Sequence, residues 1–327
     1  MSLIPLGFLA ASGGALLRNI ALAFGSSPYV SAYPFSGGFG TKYADPATLP
    51  AGFSAGVSFS STNIGIATDP SPYLAVYPFI EGFGTKYSNP ATLPPGNGQA
   101  ISLSETNLVI GHADTPFISA YPLTTSIGTK YADPATVGPD TAKEVSLTAT
   151  DVAITFASSP YVIAYPFSSG FGTKYANPAT LPPANSRGVA LTETEIAVAH
   201  NNSPFISVYP FSAGFGTKYA DPATLPTGSG LSVAFTANDI GIGHLISPYV
   251  SAYPFSAGFG TKYSDPATIP PGNSFGVAFT NSEIALAHTS SPYVSAYPFS
   301  AGFGTKYADP ATLPTGGAYD ISVTPKL

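Results

Sequence analysis

The lysines of this chain lie at one repeated spacing and could dock an anion. Seven of the nine occupy the same position of a 44-residue period: Lys42, Lys86, Lys130, Lys174, Lys218, Lys262 and Lys306. A ring of ammonium groups could bind an anionic partner at several points at once. Lysine on the exposed edge of a sheet also discourages edge-to-edge pairing. The sequence favours this second, protective interpretation.

Carboxylates and amides follow the lysines at a constant distance. Three residues after each lysine comes Asp45, Asn89, Asp133, Asn177, Asp221, Asp265 or Asp309, always before proline. Asn replaces Asp in two repeats, so the common requirement is a side-chain oxygen. We expect that oxygen to cap a turn rather than to act as a catalytic carboxylate.

The four histidines also share one repeat position. They are His112, His200, His244 and His288, and the remaining repeats have Phe24, Thr68 and Phe156 there. A metal site needs ligands that converge within a few ångströms, whereas equivalent positions of separate repeats are far apart. The pattern predicts packed or hydrogen-bonded histidines at a strand end, with no metal site and no cofactor.

Tyrosines recur in the pattern PYxxxY. The pairs are Tyr29/Tyr33, Tyr73/Tyr77, Tyr161/Tyr165, Tyr249/Tyr253 and Tyr293/Tyr297, with Phe117 and Phe205 in place of the first tyrosine elsewhere. Residues four apart on a strand point to the same face. The rings could stack on sugars, as in a lectin, or fill space between sheets. Replacement by phenylalanine favours packing.

Composition excludes several classes of protein. The chain has 327 residues, with 34 glycines, 34 prolines and 44% hydrophobic residues, which argues against both a helical bundle and a disordered polymer. A net charge of −6 with eleven basic residues argues against nucleic-acid binding. Cysteine is absent, so disulfides and thiolate sites are excluded. The first 17 residues lack the basic start of a signal peptide and predict no membrane span.

The string GTKY defines the organisation of the chain. It begins at residues 40, 84, 128, 172, 216, 260 and 304, and a period of 44 residues is typical of a four-stranded propeller blade. We therefore predict an all-β, seven-bladed β-propeller of four-stranded antiparallel blades. An apolar head over residues 1–14 precedes a single propeller over residues 15–327.

The last full repeat predicts where the four strands lie. Alternating apolar residues indicate strands at residues 276–280 and 283–288, and prolines bracket a third at residues 292–299. Residues 302–308 are the predicted fourth strand. Small residues in the second strand, such as Ala285 and Ala287, would let the next blade approach closely.

The two ends of the chain predict how the ring closes. In the first repeat the strand-one position is occupied by Gly13-Gly14, a poor strand sequence. Residues 320–324 carry Ile321 and Val323 at the two core positions of a first strand. We expect this C-terminal segment to complete blade 1 as its innermost strand, beside residues 19–24.

In its VAFT-turn-EIALAH hairpin, followed by a strand that ends in an aromatic residue, the chain resembles WD-repeat and YVTN-type propellers over residues 12–324. Its third strand ends Tyr297-Pro298-Phe299 instead of in a Trp-Asp or Tyr-Asp dipeptide, so the resemblance implies the fold and no function. The head resembles apolar, glycine-rich openings of structural proteins of tailed bacteriophage particles. That resemblance implies a virion location.

Breaks in the repeat are candidate partner-binding positions. Blade 3 has Leu123, Thr124 and Thr125 where blades such as 5, 6 and 7 read FSA. The crossover at residues 137–144 is irregular and contains Asp140, Lys143 and Glu144, and blade 6 has Leu245 and Ile246 in a turn. None of these supplies a nucleophile with a base, a calcium loop or a phosphate-binding motif.

The leading hypothesis is a non-catalytic structural or attachment module of a phage particle, which contacts other virion or scaffold proteins through its head or blade 3. The alternative is a multivalent lectin that binds surface glycans. A lactonase-type propeller enzyme is the least favoured class, since near-identical blades offer no unique polar cluster.

Overall fold

A computed structural model describes residues 18–324 of the chain. These residues form strands and irregular segments without a helix. Accordingly, nothing in this range is a helix of the length and hydropathy needed to cross a membrane. The predicted head, residues 1–14, lies outside the described range.

The strands form seven three-stranded antiparallel sheets. The inner strands are β21 (Ala318–Val323), β3 (Ser54–Phe59), β6 (Gly98–Leu103), β9 (Ala142–Leu147), β12 (Ser186–Leu191), β15 (Gly230–Phe235) and β18 (Ser274–Phe279). The middle strands are β1 (Arg18–Phe24), β4 (Asn63–Thr68), β7 (Asn107–His112), β10 (Asp151–Phe156), β13 (Glu195–His200), β16 (Asp239–His244) and β19 (Glu283–His288). The outer strands are β2 (Val30–Phe35), β5 (Leu74–Pro78), β8 (Ile118–Pro122), β11 (Val162–Pro166), β14 (Ile206–Pro210), β17 (Val250–Pro254) and β20 (Val294–Pro298).

The inner strands contact one another in a closed cycle. Each packs against the inner strand of the next sheet, and β18 contacts β21, which in turn contacts β3. Seven sheets joined in this way are consistent with a seven-bladed β-propeller. Blade 1 contains β21, β1 and β2, and blades 2 to 7 follow in chain order.

The prediction of four strands per blade is wrong, because the fourth segment is not a regular strand. In blade 1 it makes an isolated bridge between Phe35 and Phe39 and two backbone hydrogen bonds, Gly40 N–H to Pro34 O at 2.8 Å and Tyr43 N–H to Ala32 O at 2.9 Å. The equivalent bridge recurs in every blade. Pro34 has no N–H to return the bond to Gly40, so the ladder cannot continue.

The predicted closure by the C-terminus is confirmed. β21 pairs antiparallel with β1, with Ile321 opposite Leu22 and Val323 opposite Ile20. Two hydrogen bonds extend the pairing: Thr324 N–H donates to Asn19 O at 2.9 Å, and Asn19 N–H donates to Thr324 Oγ1 at 3.0 Å. One blade therefore takes strands from both ends of the chain.

The hydrophobic core consists of seven clusters, each shared by two neighbouring blades. In one cluster Ile20 and Leu22 of blade 1 pack against Ala285 and Ala287 of blade 7. In the next, the large side chains belong to blade 2 and the small ones, such as Ala21, to blade 1. The expected close approach over small residues is thus confirmed.

The second tyrosine of each PYxxxY pattern lies in this core and has a hydrogen-bond partner. Its hydroxyl donates to a threonine carbonyl of the preceding crossover at 2.5–3.0 Å in all seven blades. The first residue of the pattern does not share its strand, contrary to the predicted common face. Tyr29, for example, precedes β2 and has a φ of 70°.

We expect removal of residues 318–327 to lower the melting temperature by on the order of 10 °C. The deletion removes the whole inner strand of blade 1 and exposes the edge of β1 and the parts of β3 and β18 that pack against β21. Ile321→Asp should act in the same direction, because Ile321 is buried. Thermal unfolding followed by circular dichroism measures both effects.

Ile321→Val is the matched control, since valine occupies this position in blade 2 (Val57), and it should shift the melting temperature little. Equal melting temperatures for the full chain, the truncation and Ile321→Asp would contradict closure by β21.

Candidate functional site

The repeated lysines are paired rather than free. Five of them form ion pairs with the aspartate three residues later, as in Lys42 with Asp45. Lys86 and Lys174 donate to Asn89 and Asn177 at 2.6 Å. The side-chain oxygen is therefore required, as expected, but its donor is the lysine and not a turn N–H. The charge is consequently balanced at five of the seven lysine positions, whereas Lys86 and Lys174 keep their positive charge.

The histidines are buried, as predicted, and each bridges two elements of its own blade. In His200 the Nδ1 nitrogen lies 2.8 Å from Asn202 O and Nε2 lies 3.0 Å from Ser207 Oγ. An N–H at Nδ1 that donates to the carbonyl, with Nε2 accepting from the serine hydroxyl, satisfies both nitrogens in the neutral ring. Burial lowers the pKa of all four histidines to about 4.

The candidate partner-binding residues of blade 3 separate into buried and exposed positions. Leu123 is fully buried in the core, so its side chain is not available to a partner, while Thr124 and Thr125 are exposed. The bridge between Leu123 and Ile127 is the same as in the other blades. The altered sequence therefore keeps the common loop geometry.

The sequence predicted that Lys143 and Glu144 belong to a crossover. In the structure they belong instead to the inner strand β9. Asp140 does lie in the crossover, where its carboxylate accepts the Ala157 N–H at 3.2 Å. Leu245 and Ile246 are 38% and 55% exposed in the loop after β16. The inner strands begin beside these loops, so all five residues lie at one end of the ring, the crossover face. Thr124 and Thr125 follow the opposite ends of the strands.

Shallow grooves recur at the outer rim between blades. The groove between blades 6 and 7 has a volume of about 630 Å³. Tyr263 and Asp265 line one side of it, and Pro298, Ser300 and Phe303 line the other. Grooves with equivalent residues lie between blades 7 and 1 and between blades 1 and 2. The tyrosine hydroxyl of this position always donates to the side chain 24 residues earlier, at 2.7–3.3 Å. Sequence analysis missed this bond, although its constant spacing was visible.

A cavity of about 160 Å³ lies on the axis, and all seven inner strands line it. Two carboxylates project into it, Glu144 from blade 4 and Asp320 from blade 1, where the other blades have Gly, Ala or Ser. Asp320 accepts the Val57 N–H of the next blade at 2.8 Å. Burial raises the pKa of Asp320 to about 7 and, together with the Asp320 charge, raises the pKa of Glu144 well above its usual value.

Serines continue the lining toward the other end of the axis. Ser58, Ser102, Ser146 and Ser322 each accept a backbone N–H of the next inner strand at 3.0–3.2 Å. Across residues 18–324 there is no group of three or more side chains of the types that ligate metals. The axial cavity thus combines two carboxylates with polar backbone groups.

Known structures share the fold of this chain at very low sequence identity. No protein-family model and no curated protein sequence matches it. A protein from Lactobacillus plantarum has a TM-score of 0.69 at 10% identity, over 94% of this chain and 99% of that one. A candidate 6-phosphogluconolactonase from Bacteroides uniformis scores 0.67 at 12% identity, over 94% and 99%. The computationally designed Ika8 protein scores 0.65 at 12% identity, over 89% and 83%. These similarities support the propeller fold alone.

The buried histidines predict a loss of stability in acid. Between pH 6.5 and 4 the unfolded chain binds protons that the folded histidines exclude, so the free energy of unfolding falls as the pH falls. We expect the double variant His288→Phe/Ser295→Ile, which copies Phe156 and Ile163 of blade 4, to remove the contribution of one site. When the pH is lowered from 7 to 4.5, the free energy of unfolding of the variant should rise by about 2 kcal/mol relative to that of the wild type.

Urea unfolding at several pH values measures this difference. Ser295→Ala alone keeps the histidine and serves as the control. A stability difference that does not change with pH would show that His288 titrates alike in the folded and unfolded chain.

Proposed function

We propose that the protein is a multivalent attachment module that binds an uncharged, repeating partner, such as a neutral glycan, through the grooves between its blades. The supporting observation is that grooves recur at successive blade junctions and share a tyrosine, an aromatic ring and a proline, although the groove between blades 1 and 2 has Ile80 and Glu81 where the others have Ser and a small residue. Weak sites on one rigid body gain affinity together when the partner presents several copies of the same unit.

The lining of the grooves fits a neutral polyhydroxylated ligand. Phe303 and Tyr263 are partly exposed and offer ring surface, Ser300 offers a hydroxyl, and Asp265 has its charge balanced by Lys262. Tyr263 cannot also donate its hydroxyl to a ligand without losing its bond to Asp239. Recognition would therefore rest on ring stacking and on the serine and aspartate oxygens.

Attachment to a phage particle is a more specific form of this proposal. It depends on residues 1–14, outside the described range, and on exposed Thr124 and Thr125 of blade 3. Comparison of the full chain with one that lacks residues 1–14, in a co-assembly assay with particles, tests the role of the head.

Lactone hydrolysis is a second candidate function. It is favoured by the two carboxylates on the axis, because a carboxyl group with a pKa of about 7 suits a general base near neutral pH. One structural neighbour bears the name of a candidate 6-phosphogluconolactonase. Hydrolysis of 6-phosphogluconolactone that is lost in Asp320→Asn would support this function, and its absence in the wild type would exclude it for that substrate.

We expect tryptophan in the grooves to reduce avidity. Ser36→Trp and Ser300→Trp place a large ring at two exposed groove positions, and the matched variants Ser36→Thr and Ser300→Thr copy Thr124 of blade 3. Binding to an immobilised neutral polysaccharide found on a glycan array should weaken about tenfold in the double tryptophan variant and little in the double threonine variant.

Free oligosaccharide should still bind the remaining grooves with unchanged affinity per site. Equal binding by the wild type and the tryptophan variant, or no saturable binding to any neutral glycan, would contradict the proposal.

A further inference from the structure

Each inner strand carries a β-bulge just after its start. In blade 2, Ser54 pairs with Thr68 and Gly56 pairs with Ala67, so residue 55 is an extra residue without an opposite partner. The same shift occurs in every blade. The seven bulge residues, here called the bulge ring, are Ala55, Gln99, Lys143, Arg187, Leu231, Phe275 and Tyr319.

The bulge ring is where the blades differ most in chemistry. No two of its seven residues are alike, whereas the segment TKY is identical in every blade. Bulges re-aim side chains and are common at the rims of barrels and next to binding sites. The bulge ring lies at the crossover face, one residue before the carboxylates that line the axial cavity. Seven similar blades can therefore form one site at the bulge ring that occurs only once per chain.

One side of the bulge ring is cationic. Lys143 and Arg187 occupy neighbouring inner strands, β9 and β12, which pack against each other. Lys143 is partly exposed and Arg187 is exposed. Unlike five of the seven repeated lysines, neither forms an ion pair within residues 18–324. Two adjacent free cations are suited to binding a carboxylate or a phosphate group.

The opposite side is aromatic. The rings of Phe275 and Tyr319, from neighbouring blades, lie 5.8 Å apart, and Tyr319 lies 4.9 Å from Phe53. Phe53 remains 37% exposed, and Phe275 and Tyr319 are partly exposed. Leu231, between the aromatic and cationic sides, is buried. An aromatic surface of this kind stacks on the flat face of a ligand ring.

The carboxylates below the bulge ring weaken the cations less than their number suggests. Burial raises the pKa of Asp320 to about 7, and burial together with the Asp320 charge raises the pKa of Glu144, so near neutral pH the two groups hold less than two full negative charges. Protonation of these carboxyl groups lowers the negative charge that opposes Lys143 and Arg187 at the mouth of the cavity.

We propose that the bulge ring is a binding site for a small organic anion with a flat ring, whose carboxylate or phosphate lies against Lys143 and Arg187 and whose ring lies against Phe275 and Tyr319. The site takes one ligand per chain. It is independent of the grooves at the outer rim, which repeat with the blades and do not include Lys143, Arg187, Phe275 or Tyr319.

Isothermal titration of the full chain with 1-naphthyl phosphate at low ionic strength tests the site. We expect one saturable site per chain, with weaker binding of inorganic phosphate and of 1-naphthol. Lys143→Gln and Arg187→Gln, which copy Gln99 of blade 3, should each weaken binding about tenfold. Phe275→Leu, which copies Leu231, should also weaken it, whereas Asp320→Asn should strengthen it by removing a negative charge.

Lys86→Gln is the matched control, because it removes a lysine from the outer rim, and it should leave binding unchanged. Several sites per chain, equal binding of 1-naphthol, or unchanged affinity in both Lys143→Gln and Arg187→Gln would overturn the proposal. Melting temperatures identify a variant that is unfolded, and two separate charge variants keep the test decisive if one of them fails to fold. Because the proposed site does not include the grooves, the Ser36→Trp/Ser300→Trp variant should bind 1-naphthyl phosphate like the wild type.

Discussion

Packing of large side chains of one blade against small side chains of the preceding blade is the interaction on which the whole structure depends. In each core cluster the preceding blade contributes alanine together with one or two larger residues, such as Leu74 and Val76 of blade 2, so a blade alone exposes apolar surface on both of its faces. Burial of apolar surface drives folding in proportion to the area removed from water. Each blade therefore gains its stability only between two neighbours, and the pairing of β21 with β1 gives blades 1 and 7 the neighbours that an open chain would deny them.

The same constraint explains why residue types that often take part in catalysis have a structural role here. His288 pairs with Ser295, and the same His–Ser combination occurs in all four blades with histidine. Blade 4 has Phe156 and Ile163 at these positions, an apolar pair that fills the site without hydrogen bonds. Blade 1 has Phe24 and Ser31, whose hydroxyl is buried without a partner, and blade 2 has Thr68 and Ala75. Histidine and phenylalanine are thus alternative fillings of one position.

The strict 44-residue period was sufficient to predict the seven blades, their two inner hairpin strands and the closure by Ile321 and Val323. It could not predict the fourth segment, because the missing N–H of Pro34 interrupts the ladder inside an otherwise strand-like sequence. It also placed Lys143 and Glu144 in a loop, since the bulge at residue 143 breaks the alternation by which a strand is recognised. For Asp320 the strand was correct, but a strand assignment alone does not show that its carboxylate faces the axis.

Distance from the axis decides what a repeated protein can do with each position. Equivalent residues away from the axis, such as the lysines of the outer segments and the buried histidines of the middle strands, belong to separate blades, so they can serve only as separate copies. Equivalent residues on the inner strands surround the axial cavity, so every blade contributes residues to the lining of this one cavity. Packing between blades needs similar residues at every blade interface, whereas single residues of the inner strands, such as Glu144 and Arg187, differ from their equivalents and can create a unique environment. The uniformity of the blades therefore argues against specific chemistry at the rim, but it does not argue against such chemistry on the axis.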